Sequence, residues 1–194
     1  MSRQYWSETV AVATASGTTV ASTAVETILV PNVTIPGNFM QDGRTIRIRA
    51  FGQYGTTSTP SCVIALRWGG VSGTVLGKTG LNVLTSGVGG GASMTANWSL
   101  EAILQTRSNG SSGTIWTMGE VVWYTSTLST AGTVTQYGMP VALISGTTGA
   151  PGTAAAASTV DLTADTALSL TALWSASNAA NSIKCDIFTL ESLN

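Results

Sequence analysis

Histidine is missing from all 194 residues, and only 9% of the side chains are charged, against about a quarter in ordinary soluble domains. The first absence removes the residue that titrates near neutral pH and is the usual general base. A serine nucleophile has no imidazole partner, and no Gly-x-Ser-x-Gly elbow occurs. A zinc site cannot be assembled from two isolated cysteines, Cys62 and Cys185. Long apolar runs are also missing. Cys62 to Leu66 and Pro140 to Ile144 are the longest, far short of the ~20 residues of a membrane helix. The start, Met1-Ser2-Arg3-Gln4-Tyr5-Trp6, has no apolar stretch of the kind a secretory signal carries. These absences predict no membrane contact, no cofactor and a protein made in a cytoplasm, with both cysteines as reduced core thiols.

What remains is a few scattered charges in a background of Thr, Ser, Gly and Ala. The net charge is −1, too weak a field for nucleic acid. Arg44, Arg47 and Arg49 form the one cationic cluster, and they read as a solvated or subunit-facing stripe. Low net charge lets copies of a chain associate.

Period-two alternation recurs along the chain and signals half-buried strands. Ile46, Ile48 and Ala50 face away from the arginines; Cys62, Ile64, Leu66 and Trp68 share a face; so do Trp98, Leu100, Ala102 and Leu104. Further strands read over Thr27–Val30, Gly113–Tyr124, Leu168–Trp174 and Ile183–Phe188, the last with Ile183, Cys185 and Ile187 together. Glycine-rich punctuation lies at Gly69-Gly70, Gly87 to Gly91, Asn109 to Gly113 and Gly146 to Gly152. About eight to ten such strands predict an all-β fold, an antiparallel sandwich or barrel, taken here as a single antiparallel β-sandwich over 24–194. Residues 1–23, small and polar from Thr14 to Thr23, read as an extended N-terminal arm, disordered or laid across a neighbour.

Chemistry finds little purchase. Asp161 and Asp165 are the nearest acidic pair, but the pattern of a calcium loop is missing. A Ser–Lys dyad with Lys78 or Lys184 has no supporting sequence. Glu101 and Glu120 could meet in space as a glycosidase pair, although exposed strand-face glutamates are the simpler account. The run Gly87-Val88-Gly89-Gly90-Gly91 lacks the lysine and helix of a phosphate loop. Six tryptophans offer more. Trp98 and Trp174 read as core. Trp116 and Trp123 lie on opposite faces of one strand, so one of them faces outward, to a subunit or a sugar.

The run from Asp161 to Ser175, then Asn181-Ser182-Ile183 and the ending Phe188 to Asn194, resembles jelly-roll virion proteins of tailed bacteriophages. Gly43 to Ala50 and Trp98 to Trp116 look like earlier strands of that pattern, so the resemblance covers about 25–194. It implies a jelly-roll domain and a non-enzymatic capsid decoration, head-fibre or tail-associated protein of the virion. Such a protein is a homotrimer on the outside of a particle, with the major capsid protein or another virion protein as partner. Tyr5, Trp6, Arg47, Arg49 and Trp116 are the expected interface residues. The rival expectation is a carbohydrate- or receptor-binding fibre module that holds a glycan on exposed aromatics.

Overall fold

The computed structural model describes residues 7–56, 60–80, 82–83, 94, 96–128, 134–146 and 154–193. Fourteen strands form among them. The N-terminal part supplies β1 (Glu8–Val12), β2 (Val20–Ala21), β3 (Thr27–Ile28) and β4 (Val33–Ile35). Next come β5 (Thr45–Gly55), β6 (Ser61–Trp68), β7 (Thr74–Thr79) and β8 (Asn82–Val83). Three long strands follow, β9 (Ala96–Ser108), β10 (Gly113–Leu128) and β11 (Val134–Ser145). The chain ends with β12 (Ser158–Val160), β13 (Thr166–Trp174) and β14 (Ser182–Ser192).

Every pairing is antiparallel, in the order β1-β14-β5-β9-β10-β11-β7-β6-β13-β3. The all-β antiparallel class read from the alternation is therefore observed, and the sheet folds over into a sandwich. One layer runs from β1 to β11. The other holds β7, β6 and β13, with β3 and β4 beside β13. Their apolar faces form one core. Ile46, Ile48, Trp98, Leu100 and Trp123 come from the first layer, and Cys62, Ile64, Leu66, Leu170 and Trp174 from the second. Burying these faces is the main term that stabilises the fold. Tyr54 meets Trp123 edge-on, with ring centroids 5.0 Å apart at 84°, an arrangement aromatic quadrupoles favour.

The layers join where β11 meets β7, over only three residue pairs, Leu143–Thr79, Ile144–Lys78 and Ser145–Gly77. Buried hydroxyls take over the hydrogen bonding there. Ser158 Oγ donates to the Val75 carbonyl at 2.7 Å, Ser145 Oγ accepts from the Thr117 amide at 3.1 Å, and Thr79 Oγ1 accepts from the Ile64 amide at 3.1 Å. An unpaired backbone group in such a place costs more than a made bond returns. Some of the abundant Ser and Thr thus serve the interior.

Two sequence expectations change here. The first concerns β14. Its pairing with β5 shifts register between Cys185 and Ile187, and this bulge reverses the alternation. Ile187 turns outward and is 54% exposed, while Phe188 turns inward at 3%. A bulge adds one residue against a regular partner strand, which no period-two count can show. It also brings backbone close to Gly52, where a β-carbon would lie 1.9 Å from the Lys184 carbonyl oxygen.

The second concerns the arm. From Glu8 onward it runs along β14, through β1, the bonds Ala13 N–H to Phe188 O (3.0 Å) and Gly17 N–H to Cys185 O (2.7 Å), and β2. Val20 enters the core. The cause is the row of donors and acceptors on the edge of β14, which a segment of small residues can approach closely. Gly17 lies so near that a β-carbon would meet the Leu29 carbonyl oxygen at 1.9 Å. Strands β2, β3, β4, β8 and β12, each two or three residues long, are too short to show a period.

Gly52→Ala should therefore lower unfolding free energy by roughly 2 kcal/mol or more in urea titration, because backbone must move to admit the methyl group. Gln53→Ala, at the exposed next position, should stay within about 0.5 kcal/mol of the parent.

Candidate functional site

The first layer has an outer face, built by the residues that alternate with the core. Strand register sets them in rows. Thr45, Gln105 and Trp116 share one row; Glu191, Arg47, Ile103 and Met118 the next; Thr189, Arg49, Glu101 and Glu120 a third. Beyond these come Ile187, Phe51, Ser99 and Val122, then Lys184, Gln53, Asn97 and Tyr124.

The arginine stripe is largely occupied by carboxylates. Arg47 donates through Nε and Nη2 to Glu191 Oε2 at 2.8 and 2.5 Å. Arg49 Nε lies 3.3 Å from Glu101 Oε2. Arg44 sits 4.7 Å above the Phe39 ring and donates to Ser192 Oγ at 3.0 Å. Trp116 is half-buried on this face, while Trp123 is fully buried in the core, so the two tryptophans divide as their parity predicts. Trp98 and Trp174 are buried too. Tyr5 and Trp6 lie outside the described residues, as does the Gly87–Gly91 run.

Glu101 and Glu120 do come together, directly opposite each other on β9 and β10. They stand on the open sheet face, with the Glu101 side chain 53% exposed and beside Arg49. The acid of a glycosidase pair is instead sheltered from water, which keeps it protonated. Like charges in direct register repel modestly, which Arg49 offsets on one side.

The other candidates are engaged in structure. Asp161 Oδ1 accepts from Thr163 Oγ1 (2.6 Å) and the Thr163 amide (2.8 Å), and these bonds hold its carboxyl below the usual range. Asp165 accepts from the Gly37 amide at 2.8 Å. Asp161 thus closes a local turn, and Asp165 ties the segment before β13 to the one after β4. No group of three Asp, Glu, Cys or His gathers among the described residues. Lys184 pairs with Asp186 at 2.8 Å. Cys62 and Cys185 are both free and buried, and burial raises both thiols, Cys185 to about 12; a thiol in that state is a poor nucleophile.

At the far end of the face the bulge opens a cleft of about 300 Å³ lined by Phe51, Gln53, Asn97, Tyr124 and Asp186, with Gly52 and Trp98 beneath. Phe51 and Tyr124 are 43% and 39% exposed. Sequence reading singled out none of these as a site. Phe51 and Gln53 continue the alternation of β5, a signal that was there to follow. Asp186 follows the same alternation in β14, two residues on from Lys184, just before the register shifts.

The second layer carries one tight ion pair. Arg67 donates through Nε and Nη2 to the two Glu26 oxygens at 2.6 and 2.5 Å, and Thr171 Oγ1 donates to the same carboxylate at 2.5 Å. Partial burial works against the Glu26 charge, but these bonds outweigh it and hold the pKa below its ordinary 4.5. A depressed carboxyl contributes stability above the unfolded pKa and loses it as pH falls through the folded one. Glu26→Gln should therefore cost roughly 1–2 kcal/mol at pH 7. That difference should shrink below about pH 4.5 in urea titrations across pH. Glu120→Gln should act oppositely and raise stability by roughly 0.2–0.5 kcal/mol, since it removes a repulsion.

Comparison with family models, curated proteins and solved structures returns no match to this chain.

Proposed function

We propose that this chain is a non-enzymatic structural protein of a viral particle. It is a jelly-roll decoration protein that assembles as a homotrimer on the outside of the virion and binds the major capsid protein or another virion protein. The host cytoplasm is where it is made. The observation that carries the assembly reading is the outer face at the Trp116 end. There Trp116 is half-buried, Met118 is 47% exposed, and Arg47 and Arg49 have their charges balanced by Glu191 and Glu101. Aromatic residues, Met and Arg, with unpaired charge kept low, are what protein interfaces select. A net charge of −1 adds little repulsion between copies.

The virion setting and the jelly-roll wiring come from the resemblance of the C-terminal strands and of Gly43 to Ala50. Tyr5 and Trp6 belong to the proposed contact set with Arg47, Arg49 and Trp116. Closed three-fold symmetry would hide the apolar part of the face in a repeated interface.

Light scattering at micromolar concentration should return three times the chain mass. Trp116→Glu combined with Met118→Glu should return the single-chain mass, with unchanged circular dichroism and melting. A parent protein that is monomeric under those conditions would overturn the proposal.

A further inference from the structure

We propose that the cleft at the opposite end of the outer face, between Phe51 and Tyr124, binds one ring of a neutral saccharide. This goes beyond the assembly reading and does not depend on it.

The cleft combines three kinds of group, aromatic rings, side-chain amides and a carboxylate. Phe51 and Tyr124 present exposed rings, apolar plates of the sort that pack on the C–H face of a pyranose. Gln53 and Asn97 stand opposite each other in register, with Tyr124 next to Asn97 on the following strand. Both amides are exposed, and neither forms a side-chain hydrogen bond to another described residue. Each offers a donor and an acceptor, the pair that two neighbouring hydroxyls require. Asp186 adds a carboxylate. Ser16 Oγ at 2.7 Å and Lys184 Nζ at 2.8 Å both bind its Oδ1, so the carboxylate is held in place by one oxygen, and the other takes no bond from a described residue.

Rigidity strengthens the case. The polar groups sit on paired strands, and the bulge beside Asp186 is packed against Gly52. Trp98 fixes the strand beneath, its Nε1–H donating to the Lys184 carbonyl at 3.1 Å. Tyr54 O–H donates to the Tyr124 carbonyl at 3.3 Å, and Tyr124 OH lies 3.3 Å from Ser99 Oγ. A site on such a frame loses little entropy on binding.

Charge and size narrow the ligand. The one cation at the cleft, Lys184, is already paired with Asp186, so phosphates and acidic sugars find no unpaired positive charge there. A volume of about 300 Å³ is at the small end for binding pockets, enough for one ring of a glycan and too small for a folded partner.

The test uses saturation-transfer NMR with the intact protein and methyl glycosides of glucose, galactose, mannose, rhamnose and N-acetylglucosamine. N-acetylneuraminate serves as the acidic comparison. At least one neutral glycoside should receive saturation with a Kd of about 1 mM, strongest at the protons of one ring face. Phe51→Ala and Tyr124→Ala should each weaken it at least ~10-fold, and Gln53→Ala about 5-fold. Met118→Ala, at the other end of the face, should leave it unchanged. Gln53→Ala touches no packing and keeps the test decisive if an aromatic variant loses its fold. Saturation of none of the neutral sugars, of N-acetylneuraminate alone, or equally in parent and Gln53→Ala, would overturn the proposal. A monomer that binds sugar would sink the trimeric assembly and leave this cleft standing.

Discussion

The pairing of β14 with β5 is the contact on which the rest of the molecule depends. It joins residues 182–192 to 45–55 over ten partner positions, across most of the length of the chain. Closing so long a loop costs entropy before any contact repays it. The repayment is large because both strands place apolar residues on one side, Ile46, Ile48 and Ala50 facing the same core as Ile183, Phe188 and Leu190. Once made, the pair gives β9 an edge on one side and β1 and β2 an edge on the other. The arm is held by the same strand.

This arrangement separates the two uses of polar residues. Inside, Ser145, Ser158 and Thr79 complete backbone hydrogen bonding at the corner where the sheet turns over. Outside, Arg47, Arg49 and Arg67 are matched with Glu191, Glu101 and Glu26 across neighbouring segments. Where such a pair is exposed, as at Arg49–Glu101, it adds little stability. The larger effect of these pairs is on the surface, because they fix register and leave a face with little net charge between apolar side chains. A surface like that is suited to contact with other molecules.

The bulge in β14 shows how one local irregularity creates a feature. Without it, Ile187 would face the core opposite Ala50 and Phe188 would face outward; with it, Phe188 enters the core and Ile187 joins Asp186 on the outer face. Bulges re-aim side chains at a small cost in pairing, and here the cost is limited by a glycine on the facing strand, where a β-carbon would collide with backbone. The aromatic cluster of Tyr54, Trp98 and Trp123 lies under the same region.

Much of this was legible from residue order alone. Strict alternation in 45–50, 62–68 and 98–105 marks buried faces, since successive strand side chains must point to opposite sides, and the parity of Trp116 and Trp123 shows that they face opposite ways, while the packing makes Trp123 the buried one. Composition likewise shows where catalytic groups are lacking, because a missing histidine is missing in any fold. Other features belong to three dimensions. That Glu101 faces Glu120, that the arm from Glu8 to Ala21 follows β14, and that Phe51, Asn97, Tyr124 and Asp186 share a cleft all depend on register between distant strands. Register is chosen by the packing of whole faces and by one inserted residue, and neither leaves a mark within any single stretch of chain.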